Sequence, residues 1–324
     1  MTTLTDIARP VRHHLDVFPS TFRSALRSSV GIVELVTRYL VRRKGKQIRP
    51  LLVLLSAEAS GGVNERSFRG AGLVEILHTA TLVHDDVVDE ADTRRGFPSI
   101  NAHFKNKIAV LMGDYLLSRG LLLSLDNNDV DFLTITSRAV KRMSEGELQQ
   151  IVRSRKLDLD EPSYYRIIGD KTASLLSTCC EIGAVSVTAD AAIRTAMRDY
   201  GEFLGMAFQV RDDLLDYIGR RSITGKPTGL DLSDRKLTLP LIHALEMASP
   251  KERKEVLAGI RAGGKRLDVK RVLSFVEGLG GLAYAEAKAR ELVRQAQASL
   301  APLPPSPSLD SLNTLAEFVI QRDR

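Results

Sequence analysis

The sequence predicts an all-α protein. Helical periodicity runs through most of the chain, no Asn-Gly or Asp-Gly pair links alternating apolar runs, and few segments alternate with period two. With 324 residues, 44% of them hydrophobic and 27% charged, there is ample apolar material for a packed core, which excludes global disorder.

The first apolar face at three-and-four spacing spans 22–42, and a second spans 50–59, where Pro50 suits a first helical turn. Gly61-Gly62 ends that segment. Over 66–90 the residues Leu73, Ile76, Leu77, Ala80, Val83 and Val87 fall on one stripe. Further helical patterns cover 106–125, 129–155, 161–187 and 190–218. A Gly- and Pro-containing stretch, 219–230, breaks the pattern, which resumes over 238–248, 251–262, 268–301 and 308–321. This gives about ten or more helices. There is no repeat of fixed period, and the linker-like APLPPSPS at 301–308 lies too near the C-terminus to divide two domains. Residues 1–324 therefore read as one domain. Two polar loops stand out, 90–101 and 219–240, and long loops of this kind are often functional.

Two adjacent cysteines, Cys179 and Cys180, exclude a disulfide scaffold and lack zinc-site spacing, so they read as core residues. No signal-peptide apolar region opens the sequence and no apolar run is expected to cross a membrane, which points to a soluble cytoplasmic protein. The formal charge of +6 favours anionic partners. Nucleic acid is disfavoured, because the basic residues are dispersed with no interleaved aromatic platform.

Chemistry concentrates in two Asp-Asp-x-x-Asp clusters. The first is Asp85, Asp86 and Asp89, and the second is Asp212, Asp213 and Asp216. On a helix the first and last members of each lie one turn apart on the same side, so like charges repel by about 0.2–0.5 kcal/mol per pair. Adjoining apolar turns raise that cost. A single such cluster is commonly a solvated helix end; two of identical form call for a cation. All-oxygen ligands favour magnesium, with manganese or calcium as substitutes, and the EF-hand pattern is absent. Magnesium usually shares its ligands between carboxylates and substrate phosphates. Cations that could bind phosphate accompany the acids: Arg94, Arg95, Lys226, Lys236, Lys46, Arg49 and Lys171.

The ordered motifs GKQIRP, EILHTATLVHDDVVDEADTRRG, GDYLLSRG, EGE, KTA, GMAFQVRDDLLDY and GKPTGLDL…KLTLP resemble those of the trans-polyprenyl (isoprenyl) diphosphate synthases, in the long-chain, octaprenyl diphosphate synthase-like branch. The resemblance runs from Lys44 to Leu245. It implies helices around a deep central cavity, a homodimer, and head-to-tail condensation of an allylic diphosphate with isopentenyl diphosphate. It also implies that the six aspartates hold two or three magnesium ions on the allylic diphosphate. Arg94, Lys171, Thr172, Gln209, Lys226 and Lys236 would contact that diphosphate, and Lys46, Arg49, His78 and Arg95 would hold isopentenyl diphosphate.

His78, Thr81, Asp85 and Asp89 share a helical stripe, which supports a substrate-facing His78, whereas His84 falls on the apolar side. Ala80 and Thr81 are small where bulky aromatics block the growing chain in short-chain members of the family. The expectation is a hexaprenyl to decaprenyl product, with a floor near Leu121, Ser124 and Leu125. One departure is Asp234-Arg235-Lys236, where family members often carry Glu-Gly-Lys. Arg235 replaces a glycine free to take unusual backbone angles. Contact with anionic lipid during product release is a further expectation.

Overall fold

In the computed structural model, residues 2–41, 47–94, 96–158, 160–218, 229–263 and 267–321 are described. Lys46, Arg95 and Lys226 lie outside them. The described residues are almost entirely helical: α1 (Leu4–Ile7), α2 (Arg12–Ala25), α3 (Gly31–Val41), α4 (Ile48–Ser60), α5 (Glu65–Val88), α6 (Ile100–Phe104), α7 (Asn106–Leu125), α8 (Val130–Lys156), α9 (Glu161–Ile168), α10 (Ser174–Val185), α11 (Ala191–Ile218), α12 (Leu230–Ser233), α13 (Leu239–Met247), α14 (Pro250–Ala262), α15 (Val269–Gly278), α16 (Gly281–Ser299) and α17 (Pro307–Gln321).

The central pillar is α10. Every residue from Ser174 to Val185 except Glu181 is buried, and α4, α5, α8 and α11 pack around it. Small residues permit that crowding. A Cβ on Gly183 would stand 2.4 Å from the Val53 carbonyl oxygen of α4, and one on Gly201 would stand 2.6 Å from the Leu176 carbonyl oxygen. Cys179 and Cys180 are free thiols in this core, and burial pushes both pKa values up. The N-terminal α1 packs against α17, so both ends of the chain meet.

Local chemistry sets the helix ends. Asn64 and Ser67 form a reciprocal capping box at the start of α5, and Asp160 accepts from the Ser163 amide at 2.9 Å at the start of α9. The expected 22–42 helix is two helices. The Ser28 hydroxyl accepts from the Val30 amide at 3.2 Å and turns the chain between them. The expected 268–301 helix also breaks, at Gly280, whose φ of 74° an L-residue adopts only under strain. Part of the 90–101 loop is a short antiparallel hairpin, β1 (Thr93–Arg94) with β2 (Phe97–Pro98).

One expectation about membranes changes. By length and composition α7 could cross a bilayer. Here it lies along α5, where His84 packs so tightly against Gly113 that a Cβ would approach its Nε2 to 2.1 Å. His84 is thus a packing residue, as its place on the apolar side suggested.

Candidate active site

A cavity of about 820 Å3 opens among α2, α4, α5, α10, α11 and α17. Its walls are mostly apolar, with Phe22, Leu82, Leu175, Phe208 and Phe318 among them. Polar and charged groups gather on the α5 side: Arg49, His78, Thr81, Asp85, Asp86, Arg94, Lys171 and Thr172 all line it. An apolar chamber with a charged rim suits a ligand with a hydrocarbon body and an anionic head.

The rim is built where the expected 161–187 helix fails to continue. Gly169–Ala173 forms one π-helical turn between α9 and α10. Such turns insert an extra residue and redirect side chains, often at functional sites. This one carries Lys171 and Thr172. Lys171 Nζ is 2.6 Å from Glu147 Oε2 and donates to Gln150 Oε1 at 3.2 Å, both on α8. Thr172 Oγ1 donates to Gln209 Oε1 on α11 at 2.9 Å.

From Gln209 the chain of bonds reaches the second acidic motif. Gln209 Nε2 donates to Asp213 Oδ1 at 2.8 Å, and the Tyr164 hydroxyl donates to Asp213 Oδ2 at 2.6 Å. Burial pushes the Asp213 carboxyl up to about 7 despite both donors. Asp212 is exposed, whereas Asp216 is half-buried and accepts from the Asp231 amide at 3.1 Å. Lys236 Nζ lies 3.6 Å from Asp231 Oδ1 and 3.7 Å from Asp234 Oδ2, which places it at the edge of this motif.

The first motif closes α5. Asp86 is buried, and its Oδ1 accepts from Arg94 Nε at 2.5 Å, so the hairpin folds its arginine back over the helix end. Asp89 is the exposed C-terminal cap of α5. Asp85 stands at the mouth. Its pKa is raised by burial and then by the negative charges of Glu147 and Asp89, with Arg94 and Lys171 opposing. Lys171 lines the cavity together with Asp85 and Asp86, while its neighbour Thr172 is tied to the second motif.

Among the described residues no three His, Cys, Asp or Glu side chains converge closely enough to hold an ion by themselves. The aspartate trios are not closed cages: Asp86 faces Arg94 and Asp213 faces Tyr164. The donor set still fits magnesium. It is all oxygen, its carboxylates repel one another, and magnesium typically takes one or two carboxylates plus phosphate oxygens and water.

The residues expected to bound a growing chain separate. Thr81 lines the cavity. Ala80 is fully buried with Ile76, Ala109 and Met112 in the layer between α5 and α7. Ser124 is buried, and Leu121 and Leu125 are 49% and 53% exposed. None of these four lines this cavity, and α7 turns Leu121 and Leu125 outward. Sequence reasoning assigned no role to Tyr164, Glu147, Gln150 or Asp231. Glu147 and Asp231 sat inside the motifs EGE and GLDL, and Tyr164 carried no signal.

Comparison with known proteins identifies the family. The polyprenyl synthetase family model matches residues 31–276. Octaprenyl diphosphate synthase of Escherichia coli K12 is 36% identical over 299 residues, covering 92% of this chain and 93% of that protein. The crystal structure of a decaprenyl diphosphate synthase from Rhodobacter capsulatus superposes with a TM-score of 0.91 at 36% identity, covering 98% of each chain. That of a Caulobacter crescentus CB15 polyprenyl synthase, complexed with calcium and isoprenyl diphosphate, gives 0.88 at 34% identity, covering 99% of this chain and 98% of the other. The family match over residues 31–276 and 36% identity across 92% of the chain place it in the polyprenyl synthetase family.

Proposed function

We propose that this prenyl-transferring enzyme joins an allylic prenyl diphosphate to isopentenyl diphosphate, head to tail and in trans, making a hexaprenyl to decaprenyl diphosphate. The observation that carries the reading is the π-helical turn whose Lys171 lines the apolar chamber together with Asp85 and Asp86, and whose Thr172 is bonded through Gln209 to Asp213. Diphosphate leaves from the allylic substrate, and its developing charge needs cationic stabilisation. Lys171, Arg94 and Lys236, with Lys226, meet that need together with Thr172 and Gln209.

Magnesium, held by carboxylates of both motifs, with manganese as a substitute, would supply further positive charge on the leaving oxygens. Arg49 and His78, with Lys46 and Arg95, anchor the second diphosphate so that its double bond faces the allylic carbon. The apolar walls keep water from the carbocation.

The outer face of α7 exposes Val110, Leu111, Leu121, Leu122 and Leu125. Such a patch on one helix is characteristic of an interface, and we assign it to a homodimer of this cytoplasmic, single-domain chain. The net positive charge suits transient contact with anionic lipid as the apolar product leaves.

The test is incubation of the purified chain with magnesium, labelled isopentenyl diphosphate and an allylic primer, followed by chromatography of the products. Label in long polyprenyl chains is expected. A geranylgeranyl end point would move the reading to a medium-chain synthase. Absence of incorporation with every primer would favour a cyclase-like enzyme, and activity only after adding a second polypeptide would make the chain a subunit.

A further inference from the structure

We propose that Arg142 is a positioning residue for the diphosphate end of the site, acting by locking the π-helical turn between α8 and α11. The inference rests on the reading that Lys171 and Thr172 of that turn contact the allylic diphosphate.

Arg142 projects from α8 and is tied to two carboxylates at once. Its Nε donates to Asp170 Oδ1 at 2.7 Å, and its two terminal nitrogens donate to Glu202 Oε2 at 2.9 Å and Oε1 at 2.5 Å. Asp170 is the residue before Lys171 inside the turn, and Glu202 is on α11, seven positions before Gln209. One guanidinium thus fastens the turn to the helix that carries the second acidic motif. Hydrogen bonds to Glu202 raise the Arg142 pKa, so the fork stays charged. Only an arginine presents donors in this planar arrangement; a lysine is a point charge.

The same face of α8 continues the contact. Gly146, one turn beyond Arg142, lies so close to the turn that a Cβ would stand 3.0 Å from both Asp170 Cβ and the Lys171 amide nitrogen. Gln150, one further turn along, accepts from Lys171 Nζ. Arg142, Gly146 and Gln150 form a rail at spacing of four along which the turn is held. A π turn left to itself relaxes toward α geometry, which rotates every later side chain. The bridge opposes that rotation for Lys171 and Thr172 together. Displacements of about 1 Å at a reacting group can cost on the order of a hundredfold in rate.

The experiment measures kcat and both KM values for Arg142→Met, Arg142→Lys, Lys171→Ala and the Arg142→Met/Lys171→Ala double variant, with circular dichroism and Tm recorded for each. Arg142→Met is expected to raise the allylic KM about tenfold while leaving the isopentenyl diphosphate KM within about twofold. Arg142→Lys recovers part of the loss. Because Arg142 acts partly through Lys171 and partly through Thr172, the double variant is expected to lose clearly less than the two single losses combined, whereas an unrelated folding defect adds in full. If Arg142→Met fails to fold, Arg142→Lys and Glu202→Gln carry the same test. An unchanged allylic KM in the Arg142 variants, beside an impaired Lys171→Ala, overturns the proposal, and so does an additive double variant. An unimpaired Lys171→Ala instead overturns the assignment of Lys171 to the diphosphate.

Discussion

Thr172 and Gln209 are joined side chain to side chain at 2.9 Å, and Gln209 passes the connection to Asp213 at 2.8 Å. The threonine hydroxyl therefore helps fix the orientation of Asp213 in the second acidic motif. Thr172→Val keeps the shape and removes the donor, and water at the part-buried rim replaces it on the Gln209 amide oxygen. The expected outcome is a loss of about tenfold or more in kcat/KM for the allylic substrate, with Tm little changed because the residue lies at the rim. Steady-state kinetics at saturating isopentenyl diphosphate checks it. Wild-type kinetics in Thr172→Val would show that the bond orients nothing.

Asp85 separates stability from function. Burial and the charges of Glu147 and Asp89 hold its carboxyl above the ordinary value, so without metal the folded chain holds this proton more tightly than the unfolded chain does. For such a group the contribution to stability falls as pH rises above the unfolded-state value of about 3.9. Asp85→Asn removes the repulsion. In EDTA at pH 8 the variant is expected to melt at or above the wild-type temperature, while its turnover falls by about a thousandfold or more. Magnesium with diphosphate should raise the wild-type Tm more than that of the variant, since the ligand stabilises in proportion to its binding. A variant that melts well below wild type in EDTA would contradict the repulsion.

Much of this site was legible because its residues come in spaced groups. Asp85 and Asp86 end a helix whose apolar stripe is explicit, and FQVRDD keeps Gln209 four positions from its partner Asp213. The π turn was not legible. Nothing in IIGDKTAS breaks helical periodicity, and the turn depends on Arg142 and Gly146, far away in sequence. The outward aim of Leu121 and Leu125 was hidden for a related reason. A helix that is apolar all round does not reveal which side meets α5. Arg235 shows the opposite case. It stands where family members often carry a glycine free to take unusual angles, and its φ is 58°.

Far from the chemistry, Asp129 gives the fold a sensitivity to acid. It is 2% exposed, and its oxygens accept from Arg66 Nε and Arg69 Nε, each at 2.7 Å. Burial alone would push its carboxyl up; the hydrogen bonds from Arg69 and Arg66 outweigh burial and hold it below the ordinary value. A depressed carboxylate stabilises above the unfolded-state value of about 3.9, and that stability disappears as pH falls through the lower folded-state value. Asp129→Asn is expected to cost about 2 kcal/mol at pH 7, less than the 3–5 kcal/mol of a fully buried pair, because both arginines retain some solvent. Urea denaturation at pH 7 and pH 3 checks the sign. The gap between wild type and variant should narrow at pH 3, and an equal gap at both would rule out Asp129 as its source.

Product length follows from which side chains face the cavity. Thr81 lines it one turn before Asp85, so Thr81→Phe places a ring in the path of the growing chain and is expected to shorten the products. Leu121 is 49% exposed on the outer face of α7, and Leu121→Phe is expected to leave the product distribution unchanged. Ala80 lies between these cases. It is fully buried against α7, so Ala80→Phe must first force the α5–α7 layer apart, at about 1–3 kcal/mol, before it reaches the chamber. Its shortening effect is therefore expected to come with a lower Tm, whereas that of Thr81→Phe is not. Chromatography of the products beside thermal melts of all three variants distinguishes the positions. Shortening by Leu121→Phe, with full length retained in Thr81→Phe, would return the floor of the tunnel to α7.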